Sequence, residues 1–179
     1  MQFLIRLMGI FGMAGALTSF QCKTHKRILM FSTMSELAFC LQYILLGTFT
    51  GAALNLLGCI RKVVFARRVE QGKDNRKAIG LFSTLFVIAG ILTWQGPISL
   101  LIIAAKCVTT IAYGSKRPFV IRALNLCTNL SWMGYDWLAT SYEGVISDAF
   151  SVVSIVIGIL RLDIPEWKER RKNKKPMCR

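Results

Sequence analysis

Four ionisable residues stand inside long apolar runs of the sequence: Glu36, Lys106, Asp136 and Asp148. A charge at the centre of a bilayer costs about 3 kcal/mol on insertion scales unless it is paired or wetted, so such residues usually mark ion, proton or solute sites. Glu36 and Lys106 carry opposite charges at similar depths in their runs. This arrangement predicts an intramembrane charge pair or gate, and the alternative is an ion pair that only fixes packing.

Two further polar residues could take part in binding. Asp148 could hold a cation or a proton, or it could accept a hydrogen bond from a neighbouring hydroxyl or from Lys106. Asn55 is the strongly polar residue of another apolar run, where an amide commonly joins helices by hydrogen bonds. Asp136 lies near the end of its run and is interpreted as interfacial.

Sets of residues typical of enzymes are missing from the sequence. It contains no P-loop, dinucleotide-binding, zinc-protease or Ser/His/Asp pattern. Its single histidine, His25, stands in a basic stretch, and its six cysteines form no C-x-x-C pair. We therefore predict no enzymatic activity, no catalytic residue, no cofactor and no metal site.

The composition predicts a membrane protein. Hydrophobic residues make up 54% of the 179-residue chain, more than a soluble domain usually carries. The net charge of +14 would suit nucleic acid, but the bases cluster between nearly uncharged apolar runs, so nucleic-acid binding is not predicted. Seven transmembrane helices are predicted, each near the short end of the spanning range, at residues 3–20, 28–46, 50–66, 79–94, 97–113, 118–139 and 143–160.

The distribution of bases predicts the topology. Of the 23 Lys and Arg residues, all but Arg6 and Lys106 lie in alternate connections, in the helix ends that adjoin them, or in the tail. The positive-inside rule then places the N-terminus outside and the C-terminus in the cytoplasm. The first run lacks a basic n-region and a small-residue cleavage site, so it is predicted to remain as a helix. A tight corner at residues 95–97 separates segments 4 and 5.

An internal repeat is indicated when the sequence is shifted by 93 positions, which places residues 19–68 on residues 112–161. The basic connections and the short corners coincide, and Asn55 falls on Asp148. The repeat predicts an all-α polytopic membrane protein in which segments 1–3 and 5–7 form two parallel three-helix bundles, joined by linker segment 4. The predicted units are residues 1–68, the basic loop and linker helix 69–96, residues 97–161, and the polybasic tail 162–179.

Residues 45–55, L-L-G-T-F-T-G-A-A-L-N, resemble the YgjV family of bacterial inner-membrane proteins, as do Ile60-Arg61 and the basic loop 23–27. The likeness covers most of the chain. It implies a location, the bacterial inner membrane, rather than an activity.

The three-one-three layout of segments resembles SWEET and PQ-loop (MtN3-like) transporters, in which an aromatic residue on the second helix and an Asn on the third line a central sugar pocket. This likeness implies substrate-binding side chains at Phe39 and Asn55, which are 16 residues apart. It implies the same role for Trp132 and Asp148, which are also 16 residues apart.

Two functions are therefore considered. The first is transport or binding of a small polar or cationic solute at the interface of the two bundles, with Glu36 and Lys106 tuning the site. The alternative is a non-transporting scaffold that holds a membrane partner or anionic lipids through the tail and the small-residue face of segment 1, with homo-oligomerisation left open. A dry core with Glu36 paired to Lys106 favours the scaffold, and a polar cavity bounded by Asn55 and Asp148 favours transport.

Overall fold

A computed structural model of the chain describes residues 2–47, 49–92, 94, 98–138 and 142–173. Every element within these ranges is helical, which confirms the all-α prediction for them. The helices are α1 (Gln2–Phe20), α2 (His25–Leu45), α3 (Phe49–Glu70), α4 (Arg76–Leu92), α5 (Ile98–Gly114), α6 (Pro118–Leu138), α7 (Tyr142–Gly158) and α8 (Ile164–Asn173), with a π-helical turn, Ile159–Asp163, between α7 and α8.

The helix boundaries differ from the predicted segments in two places. Helix α3 continues to Glu70, so it includes bases that the sequence pattern had placed in a loop. The polybasic tail, which lies beyond the last predicted segment, is helical as far as Asn173. The predicted corner at 95–97 lies outside the described residues.

Glycines at positive φ end two of the helices. Gly72 has φ +69° and Gly47 has φ +74°, a left-handed conformation that costs a residue with a Cβ about 1 kcal/mol or more. At the end of α3 the amide of Gly72 donates to the carbonyl of Val69 (3.0 Å), and the amide of Lys73 donates to that of Arg68 (2.9 Å). These two bonds form a Schellman motif, which turns the chain from α3 toward α4.

Each helix packs mainly against the helices before and after it in the chain, and two further contacts join helices that are not consecutive. Helix α2 packs between α1 and α3, and α6 packs between α5 and α7. Helix α4 lies on α5 and also contacts α3. Further contacts join α1 to α7 and α3 to α5, so the first three helices meet the last three along two edges.

The hydrophobic core lies toward one end of the helices. It includes the beginnings of α2, α4 and α6 and the ends of α3 and α5. In this core the rings of Phe65 and Phe82 lie edge to face, with centroids 5.7 Å apart. This end is also the one where the basic connections emerge, and its buried cluster consists of Ile28, Leu29, Phe65, Ala78, Phe82, Tyr113 and Ile121.

Large apolar side chains cover the outside of the structure. Exposed examples occur on α1 (Phe3, Ile10), α4 (Ile91) and α7 (Phe150, Val153). A soluble monomer rarely exposes apolar surface on this scale, whereas lipid tails would cover it. Three stretches are long and apolar enough to cross a membrane by length and composition: Gln2–Phe20, His25–Leu45 and Val145–Glu169.

The side chain of Arg122 joins three elements at the basic end. This arginine, which was counted with the bases of the preceding connection, lies one turn into α6 and is only 1% exposed. Its Nε donates to the carbonyl of Phe20 at the end of α1 (2.8 Å), and its Nη2 donates to the carbonyl of Cys22. Its Nη1 lies 2.7 and 2.8 Å from the two carboxylate oxygens of Asp163 in the π-helical turn.

Gly158 allows this junction to form. A Cβ at this position would lie 2.6 Å from the carbonyl oxygen of Phe20 and 3.1 Å from Nε of Arg122. Real Cβ atoms do not approach backbone oxygen so closely, so a side chain here would separate α7 from the end of α1. The close packing of α7 on the end of α1 therefore requires glycine at this position.

Candidate functional site

Glu36 is the acid at the centre of a buried charge cluster. Its Oε1 lies 3.1 Å from Nζ of Lys62 and 3.6 Å from Nη2 of Arg61. The side chains of both bases are 2% exposed, and that of Glu36 is 15% exposed. The acid of α2 is therefore paired with two bases of α3. Lys106 lies beyond ion-pair distance from it, so the predicted Glu36–Lys106 pair is not a direct contact.

The spacing of residues on α3 explains how the cluster forms. Gly58, Arg61 and Lys62 are separated by three and four positions, so they share one face of the helix. A Cβ at Gly58 would lie 2.5 Å from Oε2 of Glu36. Glycine therefore provides the space into which the carboxylate fits, one turn from the two bases that neutralise it.

Lys62 is bound by several groups at once. Its Nζ donates to the carbonyl of Ser32 at 3.0 Å and also to the hydroxyl of the same residue. That hydroxyl donates in turn to the phenol oxygen of Tyr113 at 3.1 Å. The ammonium also lies 4.5 Å from the centre of the Tyr113 ring, a distance that suits a cation–π interaction. A chain of donors thus runs from Lys62 through Ser32 to Tyr113.

Arg61 is held between aromatic rings. Its guanidinium carbon lies 5.0 Å from the ring centre of Phe86 in α4 and 5.4 Å from that of Tyr113 in α5. Its Nη1 donates to the hydroxyl of Thr110 at 2.8 Å. Planar guanidinium groups stack well on aromatic faces, which explains how this base is accommodated at 1% exposure.

A polar cavity of about 170 Å³ lies beside this cluster. Helices α2, α3, α5 and α6 all contribute to its wall. Glu36 lies eleven residues after the start of α2, and Lys106 lies eight residues before the end of α5. At 1.5 Å per residue these positions are about 16 and about 12 Å from the basic end, near the middle of the helices. The lining consists of Glu36, Arg61, Ala105, Lys106, Thr109, Tyr113, Asn125, Thr128, Asn129 and Trp132.

The side chain of Lys106 is half-buried and lines the cavity, and it has fewer partners than Arg61 and Lys62. Its ammonium lies 5.9 Å from the centre of the Phe86 ring. Within the described part of the chain, that ammonium makes no hydrogen bond and no ion pair. Its hydrogen-bonding capacity is therefore available to a molecule in the cavity.

The residues predicted as binding groups are found in several environments. Trp132 lines the cavity, together with the predicted charge-pair residues Glu36 and Lys106. Phe39 packs against α1. Its ring lies so close to Gly12 that a Cβ at this glycine would be 2.8 Å from it. The other two predicted binding residues, Asn55 on α3 and Asp148 on α7, are half-buried and are not among the described lining residues. The side chain of Asp136 lies outside the described residues.

Several residues of the site were missed in the sequence. Arg61 and Lys62 lie within the predicted segment 50–66 but were counted with the bases of the following loop, although their spacing from Gly58 places all three on one helical face. On α6, Asn125, Asn129 and Trp132 recur at intervals of four and three positions, which is a polar stripe on one side of a helix. The stripe is the sequence signal that indicates the cavity wall.

Comparison with known proteins gives one match. A family model described as Imp-YgjV, bacterial inner membrane protein, matches residues 3–165. No curated protein and no solved structure matches the chain. Because the matched region includes nearly all of the described helices, the chain belongs to the YgjV family of bacterial inner-membrane proteins.

Proposed function

We propose that this integral inner-membrane protein binds and transports a small solute, without enzymatic activity, and that the cavity between α2–α3 and α5–α6 is its binding site. The observation that carries the proposal is the composition of the cavity wall. Charged and amide side chains meet there near mid-helix, where an ionisable group usually serves a solute or ion pathway. Helices from both halves of the chain, α2 and α3 from the first and α5 and α6 from the second, contribute to the wall. This is expected for a site between two moving units.

The pattern of helix contacts supports an arrangement of two repeated bundles. If α5, α6 and α7 are the counterparts of α1, α2 and α3, then the α1–α7 contact corresponds to the α5–α3 contact. The shift of 93 positions also relates Ile28 to Ile121, and both are fully buried. It relates Glu36 to Asn129, and both line the cavity. These correspondences support the three-one-three layout of SWEET-like transporters for this chain.

Several hydrogen bonds between the two groups of helices lie at the basic end. Gln21 donates to the carbonyl of Ser154 at 2.7 Å, and the hydroxyl of Ser154 donates to the carbonyl of Leu17 at 3.0 Å. On the other edge, a ring nitrogen of His25 lies 3.3 Å from the carbonyl of Tyr113. We therefore propose alternating access, with this conformation closed at the basic end, which the positive-inside rule places in the cytoplasm.

Uptake into proteoliposomes across a library of small solutes tests the proposal. For any solute that is taken up, Asn129→Ala and Trp132→Ala should lower the rate, because both residues line the cavity. Leu130→Ala is the matched control, since this side chain of the same helix is 46% exposed on the apolar surface. If the two cavity variants transport at the control rate, the cavity is not the site. Asn55→Ala and Asp148→Asn then test whether the positions implied by the SWEET likeness serve instead.

A second candidate function, binding of anionic lipid by a non-transporting scaffold, is favoured by a surface groove. The groove has a volume of about 580 Å³, and its lining includes Lys116 and Arg117 of the α5–α6 connection, Trp167 of α8, and the acids Asp163 and Glu166. Bases beside an interfacial tryptophan suit a lipid phosphate. Mass spectrometry of lipids retained by purified protein distinguishes the two functions. The double substitution Lys116→Gln with Arg117→Gln should lower retention of anionic lipid and leave solute uptake unchanged.

A further inference from the structure

The cavity and the cluster beside it carry an excess of positive charge. Three bases, Arg61, Lys62 and Lys106, stand near a single acid, Glu36, among the described residues. Glu36 can neutralise one of them. The site as a whole therefore keeps a positive charge near the middle of the helices, where charge is poorly solvated.

The three bases are not equally supplied with partners. Lys62 has Glu36 and Ser32, and Arg61 has Glu36, Thr110 and two aromatic rings. The ammonium of Lys106 has only the distant ring of Phe86 among the described residues. An ammonium near the middle of the helices without an anionic partner is costly, so a negatively charged ligand beside it would be favoured.

Hydrogen-bond direction points to the same kind of ligand. The phenol oxygen of Tyr113 accepts a hydrogen bond from Ser32, which itself accepts from Lys62. The hydroxyl hydrogen of Tyr113 therefore remains available, and this residue lines the cavity. Lys106 and Tyr113 together offer donors to an acceptor-rich group. The hydroxyls of Thr109 and Thr128 donate instead to backbone carbonyls at 3.0 Å each.

We infer that the cavity binds a small organic carboxylate, whose anionic group lies beside the ammonium of Lys106 and the hydroxyl of Tyr113. The inference rests on the proposed function and adds the chemical class of the solute. It departs from the expectation of a cationic solute, because the excess of bases would repel a cation. The inference predicts that anions bind more tightly than neutral or cationic molecules of the same shape.

The volume of the cavity limits the size of the ligand. A cavity of roughly 150 Å³ is known to hold one benzene molecule, and this cavity has about 170 Å³. A carboxylate with a short carbon chain, of roughly six to eight non-hydrogen atoms, therefore fits. Trp132 and Ala105 provide apolar surface for such a chain.

Fluorescence of Trp132 can report binding directly. The chain has four tryptophans. The three outside the cavity are about half exposed or more: Trp94 at 49%, Trp137 at 67% and Trp167 at 54%. Replacing these three by Phe leaves the cavity tryptophan as the only one. The full-length variant is purified in detergent and titrated at constant ionic strength with butyrate, butyramide and butylammonium, which share one carbon chain and differ in charge.

Butyrate should change the fluorescence saturably, with a Kd at least tenfold lower than that of butyramide, and butylammonium should produce no saturable change. Lys106→Gln should weaken butyrate binding by roughly 10- to 100-fold, because a hydrogen bond to a charged group contributes about 1.5–3 kcal/mol. Lys106→Arg keeps the charge and should retain most of the affinity. Lys77→Gln, an exposed lysine at the start of α4, is the matched control and should have no effect.

Three other outcomes would overturn the inference. Saturable binding of butylammonium without butyrate would show a cation site, and the proposed transport function would survive. If Lys106→Gln binds butyrate as tightly as the unsubstituted protein does, the carboxylate does not lie beside Lys106. If no probe binds and neutral acrylamide does not quench Trp132, the cavity is inaccessible, and the proposed function fails together with the ligand class.

Discussion

Replacing Glu36 by glutamine should destabilise the protein strongly, because two buried bases would lose their acid. The carboxylate lies 3.1 Å from Lys62 and 3.6 Å from Arg61, and the side chains of both bases are 2% exposed. Glutamine keeps the shape of the side chain, so the change isolates the charge. Removing one partner from a buried ion pair costs about 3–5 kcal/mol. For a chain of this length, such a loss lowers the thermal midpoint by about 6–20 °C.

The assay is thermal unfolding of the purified protein in detergent, followed by circular dichroism at fixed pH. Glu70→Gln is the matched control, because it makes the same chemical change in an exposed pair. Nζ of Lys26 lies 2.6 Å from Oε1 of Glu70, but the two side chains are 74% and 48% exposed, and solvent screens such pairs. Adding Lys62→Met to Glu36→Gln should recover part of the loss, since it removes one unpaired base. A midpoint for Glu36→Gln that equals that of Glu70→Gln would refute the argument that the buried acid holds the cluster together.

Three further predictions concern packing and helix ends, and each is checked by the same unfolding assay. Gly58→Ala should lower the free energy of unfolding by about 1–3 kcal/mol, because its Cβ would lie 2.5 Å from the Glu36 carboxylate. Gly80→Ala is the control and should be neutral or stabilising, because no atom lies within 4 Å of its new Cβ. Equal effects of the two substitutions would contradict the steric explanation. Arg122→Lys should cost about 2–3 kcal/mol, because lysine cannot hold the Asp163 carboxylate and the carbonyl at the end of α1 together; an unchanged midpoint would show that this junction adds no stability. Gly72→Ala should cost about 1 kcal/mol from its φ of +69° alone, and no loss would mean that the turn relaxes.

The sequence predicted the helices because their signal is local. Long apolar runs bounded by charged residues and glycines correctly predicted helices α1–α7. The predicted membrane location agrees with the family. The predicted segment 50–66 stopped four residues before the end of α3, and Arg61 and Lys62, which lie inside it, were counted with the bases of the loop that follows. Their burial depends on Glu36, Phe86 and Tyr113, which lie on three other helices, and no local pattern records that contact.

The candidate site was only partly predictable for a related reason. Trp132 and Lys106 stand out in the sequence, since one is a large aromatic residue and the other a charge within an apolar run. Phe39 occupies the position related to Trp132 by the shift of 93, yet it packs against Gly12 of α1. Which side of a central helix faces the cavity is decided by the packing of its neighbours, so related positions in two halves of a chain need not share a role.

The π-helical turn at Ile159–Asp163 affects how the chain between α7 and α8 can change in length. A π turn holds one residue more than an α turn over about the same rotation, whereas one added residue in a continuous α-helix turns everything beyond it by about 100°. Deleting one residue from this turn would let it return to α-helix with Asp163 still facing Arg122, whereas inserting one more would carry Asp163 away from that partner. Between α7 and α8 the chain should therefore tolerate a one-residue deletion better than a one-residue insertion.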